Sequence, residues 1–461
     1  MQLVWFRNDL RLADNPALHA ALAFGAPVIL LYIMDERAGA ASRWWLHHAL
    51  ASLGRDIAKL GGNLVLRRGH PLDIIPALVK DHQITGVHAA RAYEPFWRET
   101  DRHLDAALKS LNCGFYRHLS TSLFAPERIT TKDGKLFGVF TPFSKACFEA
   151  TVPAAFLPIP ARLDGPSILG DDLATWSLLP TKPDWAGGLR AAWSPGEESA
   201  QVRLDAFLAG PVHDYSEARD FPAQAGTSKL APHVHFGEIS PRYVWHRARA
   251  AGDSKGVLVF LKELLWREFS LAQLWQHPTL RTQPIRQAFN NFDWRCDTSH
   301  LRAWQRGMTG VPIIDAGMRE LWQTGWMHNR VRMICASYLT KHLLIPWQEG
   351  EKWFWDTLCE ADEAANGASW QWVAGCGADA APYFRIFNPV LQGQKFDPDG
   401  AYVRRFVPEL AHLPNEYIHA PWTMPGLLNA SPKYPAPIVL PADGRQAALK
   451  AYAKMQESAR G

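Results

Sequence analysis

LVWF (3–6), PVILLYI (27–33), NLVLR (63–67) and GVHAA (86–90) are the segments on which the fold of the N-terminal third turns. Each is short, apolar and rich in β-branched or aromatic residues, the composition of a buried strand. Helical patterns fill the gaps, over 15–23, 42–60, 71–82 and 98–111. Strands alternating with helices predict parallel strands joined by crossovers, a doubly wound, Rossmann-like α/β domain over 1–125. Its ligand cleft is expected beyond the carboxyl ends of the strands. No GxGxxG or GxxxxGK[ST] follows any of them, which excludes a standard dinucleotide site and a P-loop.

Downstream the character changes. Between 151 and 200 seven prolines (153, 158, 160, 166, 180, 183 and 195) interrupt any long periodic element. That density predicts a surface-wrapping linker, placed at 126–200. Beyond it the pattern is helical over 199–208, 241–251, 255–275, 310–324, 328–342 and 350–358. The expected fold class is α/β plus all-α, with a helical domain over 201–461.

Composition removes several classes. With 47% apolar and 20% charged residues in 461, the chain is neither disordered nor fibrous. The longest apolar run, 26–34, is too short for a membrane span, and the start lacks a charged-then-apolar signal peptide. A soluble, cytoplasmic, monomeric protein is expected. Cysteines 113, 147, 296, 335, 359 and 376 form no CxxC pair, which argues against a disulfide scaffold and a metal site. The net charge is only +4, but there are 20 tryptophans, more than core filling usually asks for.

Four segments carry chemistry. In GTSKLAPHVHFGEISP (226–241) the Thr227 and Ser228 hydroxyls, backbone N–H groups and Lys229 make a candidate phosphate cradle, with an ordinary helix cap as the competing reading. LKELLWREF (261–269) puts Glu263, Trp266 and Arg267 on one helical face, a poor core face and a good wall for a polar aromatic ligand. GWMHNRVRM (325–333) stacks Trp326 over Arg330, His328 over Arg332 and Asn329 over Met333. In EADEAANGASWQWVAGCGADAAPYFRIFNP (360–389), Asp362, Asn366 and Trp370 follow one another at single-turn intervals.

With these motifs in order, and with VWFRNDLRLADN (4–15), FNPVLQGQKFDPDG (387–400) and YPAPIV (434–439), nearly the whole chain resembles the DNA photolyase/cryptochrome family, most like a microbial class I cyclobutane pyrimidine dimer photolyase. The resemblance implies FAD within the helical domain, its phosphates at Thr227, Ser228, Lys229, Leu230 and Ala231. Tyr215 and Arg267 would also contact it. Trp326, Asn329, Arg332, Asp362 and Asn366 would surround flavin and ribose, with Glu360 beside Arg332 and Asn366 facing flavin N5. Glu263, Trp266, Asn329, Arg330, Met333 and Trp372 would line the substrate cavity, with Arg219 and Arg385 at its rim. Trp370, Trp347 and Trp294 would relay electrons to the surface.

Within the family the residues fit repair of cyclobutane dimers. The helix bearing Asn329, Arg330 and Met333 lacks the second histidine that six-four repair in animal-type enzymes uses. UV-damaged DNA is therefore the expected partner, and the stretch 281–332 supports it with eight Arg against four acidic residues. A cryptochrome-type blue-light photoreceptor is the alternative, disfavoured by Glu263, Met333, Asn366 and Trp372 together. The sequence departs from the family's pattern at Glu360, where Asp is usual, at Phe260 for a Trp, at Lys229 for an Arg, and at Gly367. YEPFWRE (93–99) lacks the Asn-Glu pair of the folate-binding branch, so an 8-hydroxy-deazaflavin antenna at Asp35, Arg43 and Glu94 is favoured over methenyltetrahydrofolate.

Overall fold

The computed structural model describes residues 1–152, 156–380, 384–425 and 434–458. They group into two compact units, Met1–Ala186 with Arg190–His213 and Ser228–Pro278, and Gly187–Leu189 with Asp214–Thr227 and Thr279–Gly461.

The first unit is built on a five-stranded parallel sheet, β1 (Gln2–Phe6), β2 (Val28–Ile33), β3 (Leu64–Arg67), β4 (Gly86–Ala90) and β5 (Gly114–His118), in the order β3-β2-β1-β4-β5. Its crossovers are α1 (Pro16–Leu22), α2 (Ala40–Lys59), α3 (Pro71–His82) and α4 (Pro95–Ser110). β1, β2 and β4 are buried at every position, which is why they read as unbroken apolar runs. β5 is the strand that the apolar pattern misses. GFYRH lies at the sheet edge with no fully buried position, so no such run marks it.

The stretch expected to be linker also carries structure. The helix Phe140–Glu149 lies within it, as do Gly187–Ala192 and the start of Glu197–Leu208; Pro153 is outside the described residues. The first unit further contains the helices Pro241–Ala250 and Lys255–Gln276, capped by Ser240 and Ser254 side chains on Tyr243 N and Val257 N. Packing therefore divides the chain differently from secondary-structure type.

The second unit is all helical. Its core runs through Pro312–Thr324, Asn329–Ser337, Trp347–Thr357, Glu363–Ala374 and Pro441–Ser458. Helix Asn329–Ser337 continues as one π-helical turn, Tyr338–His342, so the helix expected over 328–342 is present with its last turn π-helical. Asp315, fully buried, collects Thr309 N and Oγ1 (both 2.7 Å), Gly310 N (3.0 Å) and Tyr434 Oη (2.5 Å). Those bonds lock the segment after residue 433 onto this unit. Among the described residues no helix is long and apolar enough to cross a membrane.

Buried histidines carry an acid-sensitive share of the stability. Burial depresses His88, His328 and His342 to about 4, from about 6.5 in an unfolded chain. Below pH 6.5 the unfolded chain binds protons that the folded one refuses, so this share is intact above that pH and is lost as pH falls towards 4. Buried Glu268 and Asp315, raised to about 7 and about 6, act in the opposite direction, so the share is read against a variant. His328→Asn, which keeps a cap acceptor, is expected to lose about 2 kcal/mol less than wild type between pH 7 and pH 5. Urea unfolding of both proteins at both pH values measures the difference.

Candidate functional site

In the first unit the helix Lys255–Gln276 presents Glu263, Trp266 and Arg267, all half-buried, on one face. Trp266 lies flat on Phe140, with ring centroids 3.7 Å apart and planes 6° from parallel. Arg267 Nη1 donates to the Thr121 carbonyl at 2.6 Å. The neighbouring Glu268 is buried and accepts from Leu123 N (2.9 Å) and Phe124 N (3.2 Å). Burial raises that carboxyl to about 7 against the pull of Arg267 and the two N–H donors. The cradle segment Ser228–Ala231 leads into the helix Ala231–His235, and Lys229 stands at φ +51°, a region that non-glycine residues rarely occupy. Thr227, the residue before, ends a stretch of the second unit.

The expected antenna residues gather at the carboxyl ends of the strands. Asp35, just beyond β2, pairs with Arg37 at 2.7 Å, and Arg37 lies over the rings of Phe96 (4.3 Å) and Trp97 (5.1 Å). Arg43 Nη2 donates to the Glu36 carbonyl (2.7 Å), and Glu94 stands at the N-cap position of α4, its carboxylate accepting from Tyr93 N (3.0 Å).

In the second unit Asn329, Arg330, Arg332 and Met333 rise along the helix Asn329–Ser337, which the His328 ring caps by accepting from Arg330 N (3.2 Å). That acceptor requires a neutral imidazole, as the depressed pKa of His328 allows. Arg332 splits its fork, Nη2 to Glu360 and Nε to the Met327 carbonyl (2.6 Å), and lies 6.0 Å from the Trp326 ring. Glu360 Oε2 is buried with no hydrogen-bond partner among the described residues. Arg330 is held by Asp220 (2.7 Å) and lies over Phe396, while Arg219 lies over Tyr215. Asp362 caps the helix Glu363–Ala374 by accepting from Ala365 N (2.7 Å).

Asn366 is buried one turn into that helix, and its amide donates twice to Glu351, to the carbonyl (3.1 Å) and to Oε1 (2.9 Å). Both partners are pure acceptors, so the amide orientation is fixed and Oδ1 is left to accept. Glu351 is in turn gripped by Arg281 (2.6 Å), whose guanidinium lies over Trp355 at 3.6 Å. Sequence reasoning missed Glu351 and Arg281. Seventy residues separate them, and nothing in WQEGEKWFW marks Glu351 as inward-facing.

The three tryptophans expected to relay electrons share one core, Trp370 and Trp347 buried and Trp294 partly so. The rings touching Trp370 are Phe354 (4.9 Å) and Trp304 (6.1 Å), and Trp294 rests on Phe292 (4.4 Å). Trp370 packs against Gly350, where a Cβ would come within 2.1 Å of the indole. Trp372 Nε1 donates to the Asp379 carbonyl (3.1 Å). The exposed Arg385 is fixed by its own carbonyl, which accepts from buried Lys341 at 2.5 Å. Residues 381–383 of the fourth motif lie outside the described residues.

Two family models match the chain, one described as DNA photolyase over residues 2–161 and one as the FAD binding domain of DNA photolyase over 260–454. A deoxyribodipyrimidine photo-lyase of Agrobacterium fabrum is 47% identical, covering 99% of this chain and 98% of its own. Cryptochrome-1 of Arabidopsis thaliana is 36% identical over 95% of this chain and 68% of its own. The crystal structure of a bacterial class III photolyase from Agrobacterium tumefaciens superposes with a TM-score of 0.96 at 47% identity, covering 99% of this chain and 98% of that one. The class I expectation therefore finds no support.

The Asn366–Glu351 contact has a measurable consequence. Asn366→Asp sets a second carboxyl against Glu351, and like charges at that distance cannot both ionise. A carboxyl pKa raised by folding gives a penalty that is absent below the unfolded-state value of about 3.9, grows as pH rises towards the folded-state value, and is constant above it. The variant is expected to lose about 1.4 kcal/mol per unit of that elevation. Urea midpoints relative to wild type at pH 5 and pH 8 measure it, with the larger deficit at pH 8. Equal deficits would mean that the new carboxyl does not face Glu351.

Proposed function

The chain belongs to the DNA photolyase/cryptochrome family, and from that premise we propose that it repairs cyclobutane pyrimidine dimers in UV-damaged DNA, using light and reduced FAD. The observation that carries this reading is the face of helix Lys255–Gln276, where a carboxyl (Glu263) and a flat, supported indole (Trp266) stand one turn apart. Such a pair suits two adjacent cross-linked bases turned out of the stack, which need a surface for their ring faces and a partner for their carbonyls. A dimer stacks badly, which lowers the cost of extruding it, and photolyases as a class act on bases flipped out of the duplex. Stacking on Trp266 supplies about 1–3 kcal/mol per base. Arg219, Arg330 and Arg385 are the proposed phosphate contacts.

The residues present fit FAD. The second unit offers the orphaned acceptor Glu360 Oε2 and the oriented Asn366 Oδ1, a set that a bound ring's N–H groups would satisfy. Trp326, Asn329, Arg332 and Asp362 complete its proposed surroundings, with Tyr215, Arg267 and the Thr227–Ala231 segment for the remainder. When bound, photoexcited reduced FAD supplies one electron to the dimer and takes it back after the ring opens. The protein's share is to exclude water, orient the lesion, and hold Glu263 where negative charge develops on a base carbonyl. Trp370, Trp347 and Trp294 are the proposed route by which the cofactor is reduced in light. In the domain scheme this assigns 201–461 to FAD and DNA and 1–125 to an antenna chromophore near Asp35, Arg43 and Glu94. Extraction and absorption of the bound pigments distinguish 8-hydroxy-deazaflavin from methenyltetrahydrofolate.

The cryptochrome reading draws on the 36% identity to Cryptochrome-1, and one assay separates the two. Light-dependent dimer loss in a defined oligonucleotide is expected for the wild type, and its absence would favour the photoreceptor. Glu263→Ala should keep its flavin absorption and lose repair by about tenfold or more, the scale of a hydrogen bond to a charged group. Full repair at saturating DNA would remove Glu263 from the reaction.

A further inference from the structure

We propose that Phe140 is a positioning residue that sets the plane of Trp266 and thereby the preference for damaged over intact DNA. This rests on the reading of Trp266 as a lesion-stacking residue. At 3.7 Å and 6°, Trp266 on Phe140 is the tightest face-to-face ring pair among the described residues; the next closest parallel pair, Phe384 on Tyr452, stands at 4.4 Å. Aromatic pairs left to themselves choose offset or edge-on arrangements. An overlap this full means that the surroundings hold both rings.

Those surroundings are visible. Phe269 meets both rings edge-on, Trp266 at 5.7 Å and 84° and Phe140 at 5.9 Å and 79°. Phe143, one turn along from Phe140, packs on Phe269 at 5.3 Å. Gln273 Nε2 reaches from the long helix to the Phe137 carbonyl at 2.9 Å, tying down the approach to the helix Phe140–Glu149. Phe140 itself is buried, whereas Trp266 is only half so. Phe140 covers one indole face and Phe269 an edge, and part of Trp266 remains exposed for a ligand.

A ring fixed before binding gives its full stacking surface without the cost of being ordered at that moment. Undamaged DNA keeps its bases stacked inside the duplex and gains nothing from this. Phe140 therefore acts on discrimination, the ratio of affinities for lesion and intact DNA, rather than on general affinity.

The test compares binding, in the dark, of an oligonucleotide carrying one cyclobutane dimer with that of the intact sequence. Phe140→Leu removes the flat face while keeping apolar bulk. It is expected to weaken lesion binding about three- to tenfold, leave intact-DNA binding unchanged, and be rescued by Phe140→Tyr. If Phe140→Leu does not fold, Phe140→Met carries the same comparison. Unchanged discrimination in a folded variant, or equal loss on both DNAs, overturns the proposal. Trp266→Ala is the control for the underlying reading. If it leaves discrimination intact, Trp266 does not face the lesion. If it abolishes discrimination while Phe140→Leu does not, Trp266 faces the lesion and Phe140 has no positioning role.

Discussion

The guanidinium of Arg11 is the fixed point of the first unit. It is sealed from water and donates to three separate stretches of chain: the Asp14 carbonyl (2.8 Å), the Ser120 carbonyl and hydroxyl (3.0 and 2.8 Å), and the Gly237 carbonyl (2.9 Å). Burial pulls its pKa down, opposed by Asp9, Asp14 and Glu197. An isolated cation at this depth would be prohibitive, so the turn after β1 surrounds it with acceptors. Asp14 in turn accepts from Ser240 and Arg242, and Glu197 takes Leu12 N (2.7 Å) and Ala13 N (2.9 Å). Gly237 is obligatory here, because a Cβ would fall 2.0 Å from the Asn8 carbonyl oxygen. Losing one partner of so buried a set costs about 3–5 kcal/mol, since the others are left charged and dry.

That cluster reaches from the sheet to the helical part of the same unit. Arg242 and Ser240 open the helix Pro241–Ala250, which packs on Lys255–Gln276, and the latter carries Glu263, Trp266 and Arg267. The indole and carboxyl of the candidate site are thus positioned from the β1 turn through two helices. The second unit uses a comparable device on a smaller scale. Glu351, buried and gripped by Arg281, orients Asn366 through two bonds. In both units a buried ion pair contributes orientation more than net stability, consistent with the small net stabilisation expected of such pairs.

How much of this was legible follows from what each feature leaves in the sequence. β1, β2 and β4 are buried on both faces and write themselves as apolar runs; β5, at the edge, does not. The helices Pro71–His82, Pro312–Thr324 and Trp347–Thr357 follow their apolar period to within a few residues. Phe140–Glu149 was hidden because a proline-rich neighbourhood outweighed a ten-residue pattern. Helical spacing put Glu263 and Trp266 on one helix face, and both lie on Lys255–Gln276; Asp362 instead is the extended N-cap of the helix that carries Asn366. Glu351, Arg281 and Phe140 act across 15, 70 and 126 residues of chain on Asn366, Glu351 and Trp266, and no local pattern encodes such contacts. The tryptophans were legible as a surplus but not as a geometry.

Glu360 shows how one departure from the family's pattern resolves. A carboxylate one methylene longer than the usual aspartate requires the pair with Arg332 to shift or re-aim. The pair forms through one carboxylate oxygen, while Arg332 turns Nε to the Met327 carbonyl. The adjustment leaves Oε2 buried and unpartnered among the described residues, a state that costs about 1–3 kcal/mol when nothing donates to it. A ligand bringing an N–H or O–H group to Oε2 relieves that cost. Asn366 Oδ1, fixed by Glu351 as an acceptor, acts in the same direction, so the second unit is arranged to recognise a hydrogen-bond donor before any ligand arrives.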